Sequence, residues 1–194
     1  MKRILVGYTT NAGSTVDVAQ AVADSMTGKD IQVDVLRLEE IQNVDDYDAV
    51  IVGAPMIVGW HRAAVNFVKK HQQILSQKKV AYFFMAMSLT ETGERNVDGV
   101  PLFIDEELTA LPNNPQRLSL RERYATVSNY LRPVLKAAPL VKPLTAGFFG
   151  GKLEFFRLVW YQMLFVMLII QAKPGDRRNW PVIKAWAEDL KKNI

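Results

Sequence analysis

Ile4-Leu5-Val6-Gly7-Tyr8-Thr9-Thr10-Asn11-Ala12-Gly13-Ser14-Thr15 is the stretch on which the reading of this chain turns. Ile4 to Tyr8 is a short apolar run of strand character, and Thr9 to Thr15 is a neutral loop rich in hydroxyls. A helical period starts at Ser14, with Val16, Ala19, Val22, Ala23 and Met26 along one stripe. A strand that enters a helix through such a loop presents the helix's unpaired N–H groups and positive dipole end at the carboxyl edge of a sheet. Hydroxyls and the Asn11 amide add further donors. The loop therefore suits an anion, with an ordinary N-capped helix as the plainer alternative.

Two familiar nucleotide loops do not fit. A Walker loop ends in Gly-Lys-Ser/Thr, whereas Gly13-Ser14-Thr15 has no lysine. A dinucleotide fingerprint needs three spaced glycines, and this loop has Gly13 alone. A hydroxyl-rich cradle without a cation suits a monophosphate held as a buried dianion, which points to FMN. Its expected contacts are Thr9, Thr10, Asn11, Ala12, Gly13, Ser14 and Thr15.

The chain has 194 residues, 49% hydrophobic and 23% charged, which is enough for one domain, 1–194, with a proper core. It has no cysteine, so disulfides, thiolate metal sites and thiol nucleophiles are excluded. With only His61 and His71, a histidine-rich metal site is not expected either. The apolar run behind Lys2-Arg3 ends at Tyr8, too short for a signal peptide, so a cytoplasmic protein is expected. The net charge of +4 suits an acidic small molecule or anionic lipid; it lacks the clustered stripe of a nucleic-acid binder.

Strand and helix patterns then alternate. Strands are expected at Lys2–Tyr8, Ile31–Leu38, Ala49–Gly53, Lys79–Met87 and Leu144–Phe149. Helices are expected at Ser14–Met26, Arg62–Leu75, Ser119–Leu131 (opened by a Ser119/Glu122 capping box and closed by Pro133) and Pro181–Leu190. Wholly apolar strands such as Ala49–Gly53 belong in a parallel sheet covered on both faces. The pattern predicts a doubly wound α/β fold of five parallel strands, order 2-1-3-4-5, with the ligand at the switch point beside strands one and three. Glu91–Leu118, with three prolines and the run Asp105-Glu106-Glu107, reads as a long loop that serves as a lid or stays irregular.

The topology places two more loops at the same edge. Ala54-Pro55-Met56-Ile57-Val58-Gly59-Trp60 follows strand three, and Ala86-Met87-Ser88-Leu89-Thr90 follows strand four. Both are apolar and small, so backbone can approach a flat ring. Gly59 permits a positive φ, and Trp60 either stacks on a flavin edge or is a core aromatic. His61 reads as a structural or surface residue, and no acid or base is nominated as catalytic. None of the three loops carries a carboxylate, so a bound flavin is expected to have a comparatively high potential.

Residues 153–172 read as an apolar helical stretch; its run from Leu158 to Ile170, with only Gln162 clearly polar, is shorter than the roughly 20 residues of a membrane span and is flanked by Lys152, Arg157, Lys173, Arg177 and Arg178. Burial, a homodimer interface and contact of 153–178 with a membrane surface all remain open for it.

Several of these stretches resemble the flavodoxin-domain family that includes the menaquinone-dependent protoporphyrinogen oxidases. They are Thr9-Thr10-x-x-Gly13-x-Thr15, Gly53-Ala54 to Gly59, Tyr130-Leu131-x-Pro133, Ala146-Gly147-Phe148-Phe149-Gly150-Gly151-Lys152-Leu153, and Ala172-Lys173-Pro174-Gly175-Asp176-x-Arg178-x-Trp180 followed by Ile183-x-Ala185-Trp186-Ala187. The resemblance implies a flavodoxin-like fold and FMN held noncovalently by the three loops. It further implies oxidation of protoporphyrinogen IX, a step of heme biosynthesis. A hydrophobic acidic substrate gives electrons to flavin and then to a quinone, on a protein peripheral to the cytoplasmic membrane. An electron-transfer flavodoxin and an NAD(P)H:quinone reductase are the alternatives.

Overall fold

The computed structural model describes residues 1–11, 13–56, 59–153 and 175–194. In chain order the elements are β1 (Lys2–Tyr8), α1 (Ser14–Met26), β2 (Ile31–Arg37), β3 (Ala49–Pro55), α2 (Arg62–Lys70), α3 (Gln72–Leu75), β4 (Lys79–Ala86), β5 (Leu89–Thr90), β6 (Asn96–Val97), β7 (Val100–Ile104), β8 (Thr109–Ala110), α4 (Leu120–Tyr124), α5 (Val127–Ala137), β9 (Thr145–Gly150), β10 (Lys152–Leu153), β11 (Gly175–Asp176) and α6 (Trp180–Asn193).

Parallel pairing runs β2-β1-β3-β4-β9, which is the expected order of five. Alternation along each strand divides the core between two faces. Ile4, Val6, Ile51, Phe83 and Met85 face α1 and α6, where Val18, Val22, Ile183 and Trp186 complete one cluster. Leu5, Val50, Val52, Tyr82 and Phe84 face the other way, toward Phe67 and Val68 of α2 and Leu131 and Val134 of α5. β1, β3 and β4 are thus covered on both sides, as their unbroken apolar runs require.

Residues 91–118 correct the expectation of an irregular loop. β7 pairs in parallel with β9, and β6 pairs antiparallel to β7, so the sheet has seven strands among the described residues. The β6–β7 turn is the two-residue pair Asp98-Gly99, with φ of 50° and 90°. Both are positive, as the hairpin turn that matches strand twist demands, and Asp-Gly is a favoured pair for it. Asp105 ends β7 as a buried carboxylate, accepting from the Glu107 N–H at 3.2 Å and the Asn179 side chain at 3.2 Å. That contact ties the extension to the start of α6.

The helix expected at Ser119–Leu131 is two helices, and Pro133 does not close it. The Ser119/Glu122 capping box is present, but α4 stops at Tyr124, and Thr126 caps a second helix at the Asn129 N–H. Pro133 lies inside α5 on an exposed face, while Tyr130, Leu131 and Val134 continue the buried stripe past it. Burial of that stripe outweighs the one backbone hydrogen bond that proline removes. Likewise the Arg62–Leu75 helix breaks at His71 into α2 and α3.

The apolar stretch expected at 153–172 falls outside the described residues, apart from Leu153 in β10. Among the described residues no helix is long and apolar enough to cross a membrane, and no group of histidines and carboxylates is arranged to hold a metal.

Trp186 is 1% exposed and meets Phe149 and Phe83 edge-on at 5.4 and 6.2 Å between centroids. Trp186→Ala is expected to remove about 3–5 kcal/mol of stability. The readout is a lowered urea midpoint at unchanged slope.

Candidate functional site

The chain leaves β1 for β2 on one side of the sheet and returns to β3 on the other, so the switch point lies between β1 and β3. The three loops converge there. The Thr9 N–H donates to the Gly53 carbonyl at 3.1 Å, and the Met56 N–H donates to the Met85 carbonyl at 2.8 Å.

In the first loop Gly13 adopts φ 89° and ψ −18°, a left-handed conformation that glycine takes without strain. Its N–H donates to Thr10 Oγ1 at 2.8 Å. Among the described residues no side chain caps α1; the Val16 N–H donates to the Gly13 carbonyl at 3.3 Å, and the Ser14 and Thr15 N–H groups ahead of it are left for a ligand or solvent. Thr15 is fully buried, and its Oγ1 has no hydrogen-bond partner among the described residues. A buried, unpaired hydroxyl costs about 1–3 kcal/mol. An uncapped helix end beside such a hydroxyl fits an anion that accepts from both, which is the donor set a phosphate dianion needs. Ala12 lies outside the described residues.

Two residues outside the expected contact set, His61 and Glu39, brace this loop. His61 is the N-cap of α2, and its Nδ1 accepts from the Ala63 N–H at 3.3 Å. Its Nε2 lies 3.0 Å from Asn11 Oδ1, so the two contacts together select the neutral ring with the proton on Nε2. The Asn11 oxygen faces His61, which leaves both amide protons of Asn11 for another acceptor. Thr9 is buried, and its hydroxyl donates to Glu39 Oε1 at 2.9 Å. Thr9 thus closes the base of the loop through its backbone and hydroxyl. Glu39 lies just beyond β2, and the order 2-1-3 brings that strand's end beside the loop. The loops themselves hold no carboxylate, but the site is not free of one. Of the structural and surface readings expected for His61, the structural one holds: it spans the first loop and the start of α2.

The second loop is closed by a bridge between Met56 and Trp60. Ala54 is buried and Pro55 ends β3. Gly59 has the positive φ, 78°, and its N–H donates to the Tyr124 hydroxyl at 2.9 Å. Trp60 is 5% exposed and packs on Phe84 and Tyr82 at 4.9 and 5.3 Å between centroids. Its ring is a core aromatic, the second of the two readings left open. Ile57 and Val58 lie outside the described residues.

The third loop is shorter than expected. Ala86 is the last residue of β4, and Leu89 and Thr90 are buried in β5, paired with β8. Met87 and Ser88 alone are left partly exposed. Arg177, from beyond β11, donates from Nη1 to the Met87 carbonyl at 2.7 Å.

Burial pushes the His61 pKa below its ordinary value, and nearby Glu39 opposes that shift. Burial also lowers His71, with Lys70 acting in the same direction. A lowered histidine value contributes stability that is complete above about pH 6.5 and is lost as pH falls through the folded value. The wild type is expected to lose stability between about pH 7 and 5. His61→Gln should lose less over that range, the remainder being due to His71. Urea midpoints across pH measure this, and an equal loss in both proteins would show that His61 is not held neutral.

Residues 5–179 match the model of a family described as flavodoxin domain. A curated relative, protoporphyrinogen IX dehydrogenase [quinone] of Escherichia coli, is 23% identical over 191 residues, covering 96% of this chain and 90% of that protein. A short-chain flavodoxin associated with a non-canonical PDU bacterial microcompartment superposes with a TM-score of 0.54 at 15% identity, covering 100% of this chain and 99% of that one. Flavodoxin 2 of Bacillus cereus gives 0.52 at 14% identity, with 99% of each chain covered. The solved structures speak for the fold, and the family match spans nearly all of the chain: this protein belongs to the flavodoxin-domain family.

Proposed function

We propose that the chain is an FMN-dependent oxidoreductase that withdraws two electrons from a flat, acidic, hydrophobic substrate, such as protoporphyrinogen IX, and passes them to a quinone. The observation that carries the cofactor is the first loop. It joins an uncapped helix end, the left-handed Gly13 and the buried, unpartnered Thr15 hydroxyl. The substrate class rests on the relative that spans 96% of this chain, and on a net charge of +4 that attracts an acidic molecule.

FMN supplies the electron chemistry when bound, since its ring takes up and releases electron pairs. The protein's own residues bind and orient. The α1 end, Ser14, Thr15 and Asn11 hold the phosphate without a cation, and Thr9 and His61 hold the loop in shape. The backbone around Pro55–Met56, Gly59 and Met87–Ser88 offers small, apolar surface on which a ring lies. Contact of 153–178 with a membrane surface, where a quinone is met, and homodimerisation belong to the same proposal.

Thr15→Val removes the hydroxyl and keeps the shape. It is expected to weaken FMN binding about tenfold to a hundredfold, as for a hydrogen bond to a charged group, in a fluorescence titration. The activity is tested by anaerobic bleaching of the FMN-loaded protein. Bleaching by protoporphyrinogen IX, with recovery on adding a menaquinone analogue, is the expected result. Bleaching by NADH or NADPH alone would move the reading to a nicotinamide-fed quinone reductase. Reduction in two separate one-electron steps would move it to an electron carrier.

A further inference from the structure

The three loops of the site carry no charged side chain of their own, yet a cation is fastened to one of them. Arg177 donates from Nη1 to the Met87 carbonyl at 2.7 Å. Its main chain is fastened too. The Arg177 N–H donates to the Gly151 carbonyl at 3.0 Å, and the Gly151 N–H donates to the Ala86 carbonyl at 2.8 Å. Position 177 is therefore bolted through Gly151 to the end of β4, where the third loop starts. Gly150 makes room for it: a β-carbon there would lie 1.8 Å from the Arg177 carbonyl oxygen. Only glycine accepts so close a backbone approach, and this one lies on the last residue of β9.

The adjacent Arg178 is a useful contrast. Its guanidinium pairs with Asp17 at 2.6 Å and with Asp176, and lies over the Trp180 ring at 4.7 Å. Those carboxylates offset its charge. Arg177 points instead at a carbonyl, which orients a guanidinium without neutralising it. Among the described residues no carboxylate forms an ion pair with Arg177. Glu39, whose carboxylate contacts the first loop, is engaged by Thr9.

We propose that Arg177 holds a fixed positive charge against the third loop and so raises the two-electron reduction potential of the flavin bound beside that loop. The inference rests on the FMN reading above. Uptake of two electrons and one proton leaves the bound group one unit more negative. A cation held near the ring stabilises that product and barely affects the oxidised form. Arg177 is a tuning residue here, since it contacts the loop and takes no part in transferring electrons.

The test compares the FMN-loaded wild type with Arg177→Gln and Arg177→Lys. All backbone contacts of the position survive both changes. Potentials are read anaerobically against a reference dye, with dithionite as reductant, and Kd is measured for oxidised and for reduced FMN. Arg177→Gln is expected to weaken binding of reduced FMN about tenfold while leaving the oxidised Kd unchanged. That corresponds to a potential lower by about 30 mV for a two-electron couple. Arg177→Lys should keep most of the wild-type potential, and the gap between wild type and Arg177→Gln should narrow in high salt. A purely structural role would weaken both redox forms alike and leave the potential where it was, which overturns the proposal. Should Arg177→Gln fail to fold, the wild type and Arg177→Lys carry the test: a potential that does not fall with added salt in either overturns it. A wild type that binds no FMN overturns the cofactor reading and this inference with it. A wild type that binds FMN, with equal potentials in all three proteins, overturns this inference alone.

Discussion

Parallel pairing of strands buried on both faces is the constraint from which the site follows. β1 from Ile4, β3 throughout and β4 from Val80 run apolar, so helices must cover each side of the sheet. Each parallel strand is reached by a crossover that passes back over the sheet, and this places the carboxyl ends of all of them at one edge. Three loops that are distant in sequence meet there without needing affinity for one another. They can consequently be short and uncharged, because the sheet, and not the ligand, holds them in place. The Thr9–Gly53 and Met56–Met85 backbone bonds extend that order just past the strand ends.

The first loop is nevertheless not complete in itself. Its base needs Glu39 to occupy the Thr9 hydroxyl, and its tip needs His61 to orient the Asn11 amide. Both partners arrive through topology: Glu39 because β2 lies beside β1, and His61 because it caps the helix after β3. His61 also shows how one ring serves two tasks. Its Nδ1 satisfies an otherwise free N–H of α2, and that fixes the proton on Nε2, where Asn11 can use it.

Much of this was legible from residue patterns. The alternation of apolar strands and helical stripes sufficed for the order 2-1-3-4-5 and for which loops share an edge. What escaped had specific physical causes. Pro101 and the acidic run at 105–107 masked β7, although Asp98-Gly99 between Val97 and Val100 is a strong hairpin signal in its own right. Pro133 reads as a stop, yet the buried stripe of Tyr130, Leu131 and Val134 on both sides of it carries the helix through to Ala137. Trp60 was undecidable, because a tryptophan in an apolar loop is equally suited to a ring partner or to the core, and only Phe84 and Tyr82 across the turn decide it. The contacts of His61, Glu39 and Arg177 are long-range in sequence, so no local pattern contains them.

The same separation accounts for the charge layout. A loop that binds a phosphate through helix dipole, amides and hydroxyls leaves the ligand's charge unneutralised, and Glu39 nearby adds to it. With FMN as the proposed tenant, electrons arriving at the ring would enter a site that is already negative at its phosphate end. A lysine in the first loop would offset that charge, but at the phosphate, where it strengthens binding of both redox forms alike. A cation at the third loop, as Arg177 is, would act differently if the ring of the proposed flavin lies against that loop: it would favour the reduced form over the oxidised one. Gly150 is the means of placing it there, since it leaves room for the Arg177 backbone to close onto the end of the sheet, where the Arg177 N–H donates to the Gly151 carbonyl. On that proposal, binding and potential would be set by different residues on different loops, the first loop and Arg177 at the third.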